Sequence, residues 1–301
     1  KRAEGGLMAR VLVIGVAVVD FVFQMGALPT EARKYRASHA DIVGGGCAAN
    51  AAVAIARLDG DALLGARLGA DPLGDLILSD LRAEGVDTEL VQQTNGARSS
   101  FSSVYIDAKG ERQIMNLRGE NLSTDVGWIE TAPMIDAVLA DTRWSEGAIA
   151  ALKIARERGV PGIVDAEAPM DDHVLSAASH VAFSRDGLMS FVQGGDLRTA
   201  LRAAADKLDA WVCVTDGANG VWFTGAGGIE HIPGFTVDVK DTLGAGDVWH
   251  GAFALALGEG RPAADAIRFS NAAAAIKCTK FGGRNGTPTR AELNKFLKEN
   301  S

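Results

Sequence analysis

The chain has 301 residues, of which 47% are hydrophobic, which is enough for one large α/β domain with a sizeable core. Its 30 basic and 38 acidic side chains give a net charge of −8 without any basic run or stripe, so nucleic acid is not an expected partner. No apolar run approaches the roughly 18 residues of a membrane span and no export leader is recognisable, so we expect a cytoplasmic protein with no membrane partner.

The N-terminal segment 1–7, KRAEGGL, is typical of a tag remnant, and we expect the natural protein to begin at Met8. The three cysteines, Cys47, Cys213 and Cys278, are far apart and follow no CxxC spacing. Their odd number and apolar surroundings favour free thiols in a reducing compartment.

Short β-branched runs, beginning with VLVIGV at 11–16, alternate with segments of helical period along the chain. The apolar period predicts helices at 47–58, 73–84, 146–158, 197–208, 248–257 and 263–279. This alternation is typical of a doubly wound, mostly parallel sheet wrapped by helices, and it predicts a single α/β domain over residues 8–301.

Two segments, approximately 18–41 and 98–118, interrupt the alternation. Within the second, residues 101–107 and 112–117 alternate apolar and polar side chains around a glycine-containing loop, which predicts a β-hairpin. Together the two segments predict a small β-sheet that serves as a lid or a dimer surface. A hairpin packed on the main sheet is the alternative.

A glycine triplet at 44–46 precedes the helix predicted from Cys47. Without side chains, these glycines let a bound molecule approach the backbone N–H groups closely. Asp20 follows the first predicted strand, near the edge where open α/β sheets bind ligands, and can accept hydrogen bonds from hydroxyl groups. A plain glycine turn and a turn cap are the structural alternatives.

The segment VTDGANGVWF at 214–223 predicts a strand, a tight turn and a second strand. Thr215, Gly217 and Gly220 suit backbone contact with a nucleotide, although a plain hairpin explains the pattern equally well. Asn271 on a helix and the turn at Gly283 are candidates to complete a nucleotide site.

The segment DTLGAGD at 241–247 runs directly into a predicted helix. The N–H groups of Gly244, Ala245 and Gly246, together with the positive end of the helix, predict a nest for anions such as phosphoryl oxygens. Beside it, Asp247 is a candidate base that accepts the proton of an attacking hydroxyl. Because a helix N-terminus favours the carboxylate, we expect the pKa of Asp247 to be low. A plain helix start is the alternative.

From Arg10 onward, the chain resembles the PfkB/ribokinase family of sugar kinases. The DTLGAGD and GGGCAAN segments resemble that family's C-terminal and N-terminal signatures, in the same order and separation. The resemblance implies a ribokinase-like fold with a small β-sheet lid, MgATP as phosphoryl donor, and a homodimer formed through the lid. It also implies that Asp247 is the catalytic base and that residues 244–246 form the anion hole.

The same resemblance implies two sets of binding residues. Those implied for the sugar are Asp20, Gly44, Gly45, Gly46 and Asn50. Those implied for the nucleotide are Ser184, Thr215, Gly217, Gly220, Asn271 and Gly283.

Within that family, the chain resembles the bacterial sulfofructose kinases. The shared segments are LPTEARKY at 28–35, VGGGCAANAAVAIARL at 43–58, KGERQIMN at 109–116, VLADTRW at 138–144 and KCTKFGGRNGTP at 277–288. The resemblance implies phosphorylation of the 1-hydroxyl of 6-deoxy-6-sulfofructose, in sulfoquinovose breakdown. It also implies that Lys34, Asn116 and Arg143 bind the sulfonate. The alternatives are a 6-phosphosugar such as fructose 6-phosphate or tagatose 6-phosphate, an uncharged sugar, and a non-catalytic sugar-binding regulator.

Two positions depart from the family pattern. Residues 184–187 read SRDG where many members carry an Asn and Glu pair that helps hold Mg²⁺-bound water, which leaves magnesium ligation open. Leu243 replaces a frequent Thr, so a monovalent cation such as K⁺ would use the carboxylate of Asp241 and the carbonyl of Leu243.

Overall fold

The computed structural model describes residues 8–192 and 194–300, so the predicted tag segment at 1–7 lies outside the described residues. A nine-stranded sheet forms the centre of the molecule. The strands of this sheet are β1 (Arg10–Ile14), β4 (Asp61–Gly69), β5 (Val91–Thr94), β8 (Ala137–Asp141), β9 (Gly162–Ala166), β10 (His180–Ser184), β11 (Trp211–Thr215), β12 (Val221–Gly225) and β13 (Gly228–Ile232). Their spatial order is β13-β12-β11-β10-β9-β8-β1-β4-β5. The neighbours from β5 to β11 in this order pair parallel, whereas β12 pairs antiparallel with both β11 and β13 at one edge.

Helices cover both faces of this sheet. They are α1 (Cys47–Arg57), α2 (Pro72–Ala83), α3 (Ser145–Arg158), α4 (Asp172–Ala177), α5 (Arg185–Val192), α6 (Leu197–Lys207), α7 (Ala245–Gly258), α8 (Ala263–Cys278) and α9 (Arg290–Glu299). Because neighbouring residues of a strand point to opposite faces, Val11 and Val13 pack against α1 and α7, whereas Leu12 and Ile14 pack against α3. The result is two apolar cores, one on each face of the sheet.

A separate four-stranded sheet has the order β3-β2-β6-β7. Its strands are β2 (Val18–Gln24), β3 (His39–Gly45), β6 (Phe101–Ile106) and β7 (Arg112–Leu117). Strand β2 pairs antiparallel with β3 and parallel with β6, and the predicted hairpin is the antiparallel pair β6 and β7. The strands of this small sheet come from the two segments that interrupt the α/β alternation, although β3 continues beyond residue 41 and includes the first two glycines of the triplet.

The predicted fold agrees with the observed one, and the predicted helix ends differ by one or two residues in most cases. The largest difference is at α7, which begins at Ala245 instead of Val248. The short helices α4 and α5 and the C-terminal helix α9 are not among the predicted ones. None of the described helices is long and apolar enough to cross a membrane.

The carboxyl ends of β8, β9, β10 and β11 lie along one edge of the main sheet, as their parallel pairing requires. Asp141, Ser184 and Thr215 end their strands there, and Asp165 lies one residue before the end of β9. Open α/β sheets bind their ligands at this edge.

Candidate active site

The turn before α7 gives the predicted anion nest a more specific form. Gly244 adopts a left-handed backbone conformation with φ of 74°, which glycine tolerates without strain. The N–H of Ala245 donates to the carbonyl of Thr242 at 3.2 Å and is therefore used within the turn. The N–H groups of Gly244, Gly246 and Asp247 have no partner among the described residues. These three donors form the nest at the positive end of α7.

Asp247, in the first turn of α7, is linked to α1 by one hydrogen bond. The Nδ2 atom of Asn50 donates to Oδ2 of Asp247 at 2.7 Å. Asn50 is 9% exposed, and its Oδ1 has no partner among the described residues. The two glycine turns that the sequence places far apart therefore meet at this side-chain pair.

The expectation of a low pKa for Asp247 is wrong. Burial and, to a smaller extent, the nearby carboxyl of Asp165 raise its pKa to about 7, against the hydrogen bond from Asn50, which acts to lower it. Asp165 is itself buried, and desolvation together with Glu167 and Asp141 raises its pKa well above the usual range. Desolvation and like charge thus outweigh the helix dipole, and they make Asp247 a stronger base than an exposed aspartate.

A cavity of about 500 Å³ opens next to this acidic group, between the small sheet and the main sheet. Four residues predicted to bind the sugar line it: Asp20, Gly46, Asn116 and Arg143. Three arginines contribute to the lining, because Arg67 and Arg118 join Arg143. We call this space the sugar cavity.

The side chains of the sugar cavity differ in how far they are already engaged. Arg143 donates to the carboxylate of Glu167 and, at 3.0 Å, to the carbonyl of Ala168. The Nδ2 atom of Asn116 donates to Oγ of Ser102 at 3.1 Å and to the carbonyl of Phe101 at 3.3 Å, which leaves its Oδ1 as an acceptor. Arg118 makes no hydrogen bond or ion pair with the residues that the structure describes.

The glycine triplet makes room for side chains as well as for a ligand. A Cβ atom at Gly45 would collide with the carboxylate of Asp20, and one at Gly44 would collide with the guanidinium of Arg284. Gly46 has φ of 93°, and a Cβ there would lie 2.5 Å from the carbonyl oxygen of Val16. Among the three, only Gly46 lines the sugar cavity.

Lys34 is exposed in the connection between β2 and β3, and it does not line the sugar cavity. The structure therefore brings Asn116 and Arg143 together and leaves Lys34 apart from them within one chain.

A second cavity, of about 400 Å³, lies on the other side of the α7 N-terminus. Its lining includes Thr215, Gly217, Gly220 and Asn271, all predicted for the nucleotide, and also Ala245 and Gly246. Asn271 is held in place by Trp249, whose Nε1 donates to its Oδ1 at 2.8 Å. We call this space the nucleotide cavity. Because Gly246 lines it, the anion nest beside Asp247 borders this cavity.

Two residues predicted for the nucleotide do not line that cavity. Ser184 accepts a hydrogen bond from the N–H of Gly187 at 3.0 Å, near the start of α5. Gly283 donates its N–H to Asp241 at 3.1 Å. The side-chain hydroxyl of Ser184 and the backbone N–H of Gly283 are thus engaged in hydrogen bonds with other protein groups.

The donor atoms of Cys47, Asp165 and Asp247 lie within 4.8 Å of one another. Burial raises the pKa of the Cys47 thiol well above its usual value, so the group is a neutral thiol and a poor partner for Mg²⁺, which prefers oxygen ligands and keeps several waters. Asp165, and Glu167 two residues later, offer the oxygen atoms that Mg²⁺ prefers as ligands. The trio as a whole does not fit a closed magnesium site.

Several residues of the site escaped sequence reasoning. Arg67, Arg118 and Asp165 lie in segments without a recognisable motif, whereas His250 and Arg284 lie in or beside motif segments in which sequence reasoning assigned them no role. His250 follows Asp247 by one helical turn, its Nδ1 lies 3.5 Å from Oδ1 of Asp165, and burial lowers its pKa, so a neutral imidazole flanks the two carboxyl groups. The i, i+3 spacing from Asp247 was the available signal for His250.

Comparison with known proteins agrees with this geometry. Residues 8–290 match the family described as pfkB family carbohydrate kinase. The chain belongs to this family. It is therefore a carbohydrate kinase, a phosphotransferase that uses an alcohol group as acceptor.

Three relatives show how much of the chain this similarity covers. It is 28% identical over 297 residues to the ribokinase of Bacillus subtilis, covering 96% of this chain and all of the relative. A crystal structure of a candidate ribokinase from Agrobacterium tumefaciens superimposes with a TM-score of 0.89 at 36% identity and covers 98% of both chains. The Arabidopsis thaliana ribokinase in complex with ribose and ATP gives a TM-score of 0.86 at 26% identity, over 97% of this chain and 99% of the other.

The raised pKa of Asp247 predicts that the stability of the folded protein depends on pH. Its folded-state pKa of about 7 lies above the ordinary aspartate value of 3.8, so protonation favours the folded state, and stability falls as pH rises from about 4 to about 7. We expect Asp247→Asn to melt at a higher temperature than the wild type at pH 8.5 and at the same temperature at pH 4.

The control is Asp209→Asn, which makes the same charge change at an exposed position. Its melting temperature should follow the wild type at both pH values. If Asp247→Asn gains no stability at pH 8.5, burial does not raise the pKa of Asp247.

Proposed function

We propose that this kinase transfers the γ-phosphoryl group of ATP to the 1-hydroxyl of 6-deoxy-6-sulfofructose. The observation that carries the proposal is the arginine-lined sugar cavity beside Asp247. A sugar with an anionic group at carbon 6 would place that group against the guanidinium groups, which are good partners for tetrahedral oxyanions.

The charges around the sugar cavity favour a monoanion. Three guanidinium groups line it, together with one carboxylate, Asp20, and Glu167 forms an ion pair with Arg143 from outside the lining. Asp20 and Glu167 offset part of the positive charge of the three arginines. A sulfonate carries one negative charge, whereas a phosphate monoester carries about 1.5 to 2 near neutral pH.

Within this proposal, the arginines are the main sulfonate ligands. Arg118 has no partner of its own among the described residues, and Arg143 keeps part of its guanidinium free of Glu167 and Ala168. Asn116 already donates both bonds of its Nδ2 within the small sheet. Its free Oδ1 suits a sugar hydroxyl. Because a sulfonate can only accept hydrogen bonds, a direct bond to it requires the Nδ2 group of Asn116 to exchange its present partners.

In the proposed mechanism, Asp247 accepts the proton of the attacking hydroxyl. Its pKa of about 7 leaves a substantial carboxylate fraction at neutral pH and a greater affinity for a proton than an exposed aspartate has. The N–H groups of Gly244, Gly246 and Asp247 stabilise the charge that develops on the phosphoryl oxygens. Mg²⁺ would neutralise charge on the phosphates, and Asp165 and Glu167 are the residues that would hold its waters.

A 6-phosphosugar such as fructose 6-phosphate or tagatose 6-phosphate is the second candidate, because Arg67 adds a cation that sequence reasoning did not count. An uncharged sugar such as ribose is the third, since the relatives include ribokinases. With such a substrate, the additional guanidinium group of Arg67 would have no anionic partner.

The first prediction of this proposal concerns the base. Asp247→Ala should lower kcat by several orders of magnitude and leave the Kd of the sugar nearly unchanged. The reason is that the lost carboxylate accepts the proton in the transition state and is not needed to bind the sugar. In the wild type, kcat/KM should fall as pH decreases through about 7, where Asp247 becomes protonated. Near-normal turnover of Asp247→Ala in a coupled ADP-release assay would contradict the assigned role, and a wild type that binds sugars without turnover would indicate a regulator.

The second prediction concerns the substrate. Among sulfofructose, fructose 6-phosphate and fructose, we expect sulfofructose to have the highest kcat/KM. Arg118→Gln and Arg143→Ala should each lower kcat/KM for sulfofructose by about 10- to 100-fold, the range of a lost charge-assisted hydrogen bond, and change that for fructose by less than about 3-fold.

The matched control is Arg98→Gln, because Arg98 is exposed, pairs with Glu120 and does not line the sugar cavity. It should behave as the wild type on all three sugars. An equal loss on sulfofructose and fructose in the cavity variants would refute their role in anion binding, and a preference for fructose 6-phosphate would favour the second candidate.

We also propose a cytoplasmic homodimer formed through the small sheet. Two large apolar side chains on the same face of that sheet, Ile42 and Met115, are 60% and 68% exposed, and apolar exposure on this scale favours a covered surface. Light scattering should give the mass of two chains, and Met115→Lys should shift the mass towards one chain. A monomeric wild type would contradict the proposal.

A further inference from the structure

Lys277, at the end of α8, is a fully buried cation. Its side chain is 0% exposed, which is rare for a lysine without a charged partner. Its Nζ atom donates to the backbone carbonyl oxygen of Asp241 at 2.8 Å and lies 3.3 Å from Oδ2 of the same residue. The ammonium group therefore contacts Asp241 through two different oxygens.

Asp241 connects three parts of the molecule around that ammonium group. Its Oδ1 accepts from the N–H of Leu243 and from Arg112 of β7, both at 2.9 Å. Its Oδ2 accepts from the N–H groups of Gly282 and Gly283 at 3.2 and 3.1 Å. The loop that carries the anion nest, the 282–283 turn and the small sheet are thus tied to one carboxylate.

The carboxylate is held in its charged form. Burial acts to raise the pKa of Asp241, but the N–H groups of Leu243 and Gly283 and the ammonium group of Lys277 outweigh it, so the pKa is lowered. A buried negative charge of this kind requires a positive partner, since an unpaired one is costly.

The site does not fit a diffusible monovalent cation at Asp241 and Leu243. Such an ion would take the oxygens of Asp241 as ligands, and the ammonium group of Lys277 already contacts two of them. A second cation there would also be repelled by Lys277 and by Arg112, which lie on either side of the carboxylate.

We propose that the ammonium group of Lys277 replaces a diffusible monovalent cation as the counterion of Asp241, and that it thereby positions the anion nest without K⁺. Lys277 is a positioning residue, because it acts through Asp241 and the loop that follows. The covalent tether makes its occupancy independent of salt concentration, and its three N–H donors fix the direction of contact.

The test compares wild type and Lys277→Ala in tetramethylammonium chloride and in KCl of equal ionic strength. The readouts are the melting temperature, the affinity for ADP and kcat, and the first two need no sugar, so they stand even if the proposed substrate is wrong. The wild type should show the same values in both salts. Lys277→Ala removes the cation and opens space, so it should melt several degrees lower in tetramethylammonium and regain stability, ADP affinity and turnover on addition of K⁺.

Two further variants complete the experiment. Lys280→Ala, which removes an exposed lysine paired with Glu292, should respond to K⁺ no more than the wild type does. Lys277→Met removes the charge but fills the space, so K⁺ should restore little of its stability. If wild type gains stability or activity from K⁺, the proposal is overturned, whether or not the Lys277 variants fold. The same holds if Lys277→Ala folds and shows no response to K⁺.

Discussion

The close packing of α1 against α7 is the constraint on which the rest of the site depends. Gly251 of α7 lies so close to α1 that a Cβ atom there would come 2.5 Å from the carbonyl oxygen of Ala51. At this separation the N-terminal ends of the two helices, each preceded by a glycine turn, lie side by side. The hydrogen bond between Asn50 and Asp247 spans the gap and holds the carboxylate in the first turn of α7.

The same packing decides the electrostatics of the reaction. Because Asp247 is enclosed by helices and by the carboxyl end of β9, it loses most of its hydration and faces the carboxyl group of Asp165. Both effects favour the protonated form and exceed the opposing effect of the helix N-terminus, which is weaker and confined to the first turn. The positive charge of the site is kept apart from this acidic group. It lies in the arginines of the sugar cavity on one side and in the backbone N–H groups of the nest on the other.

The small sheet takes part in the site through more than its lining residues. Asp20 and Asn116 reach the sugar cavity from β2 and β7, and Arg112 of β7 forms an ion pair with Asp241 at the base of the nest. A movement of the small sheet would therefore change the geometry of the anion nest as well as that of the sugar cavity. With Lys277 as a fixed partner, Asp241 keeps one positive contact that does not depend on the position of that sheet.

The amino-acid sequence is sufficient to predict the alternation of strands and helices, the hairpin at 101–117 and the two glycine turns that precede helices. These features depend on residues close together in the chain, where propensity and periodicity are informative. It also indicated Asp247 and the anion nest as candidates, because both lie in one continuous segment. The pKa of Asp247, the three-arginine lining, the separation of Lys34 from the sugar cavity and the burial of Lys277 on Asp241 could be seen only in the folded structure. The physical reason is that charge interactions and desolvation depend on distances through space, and the residues concerned lie on segments that no local pattern connects.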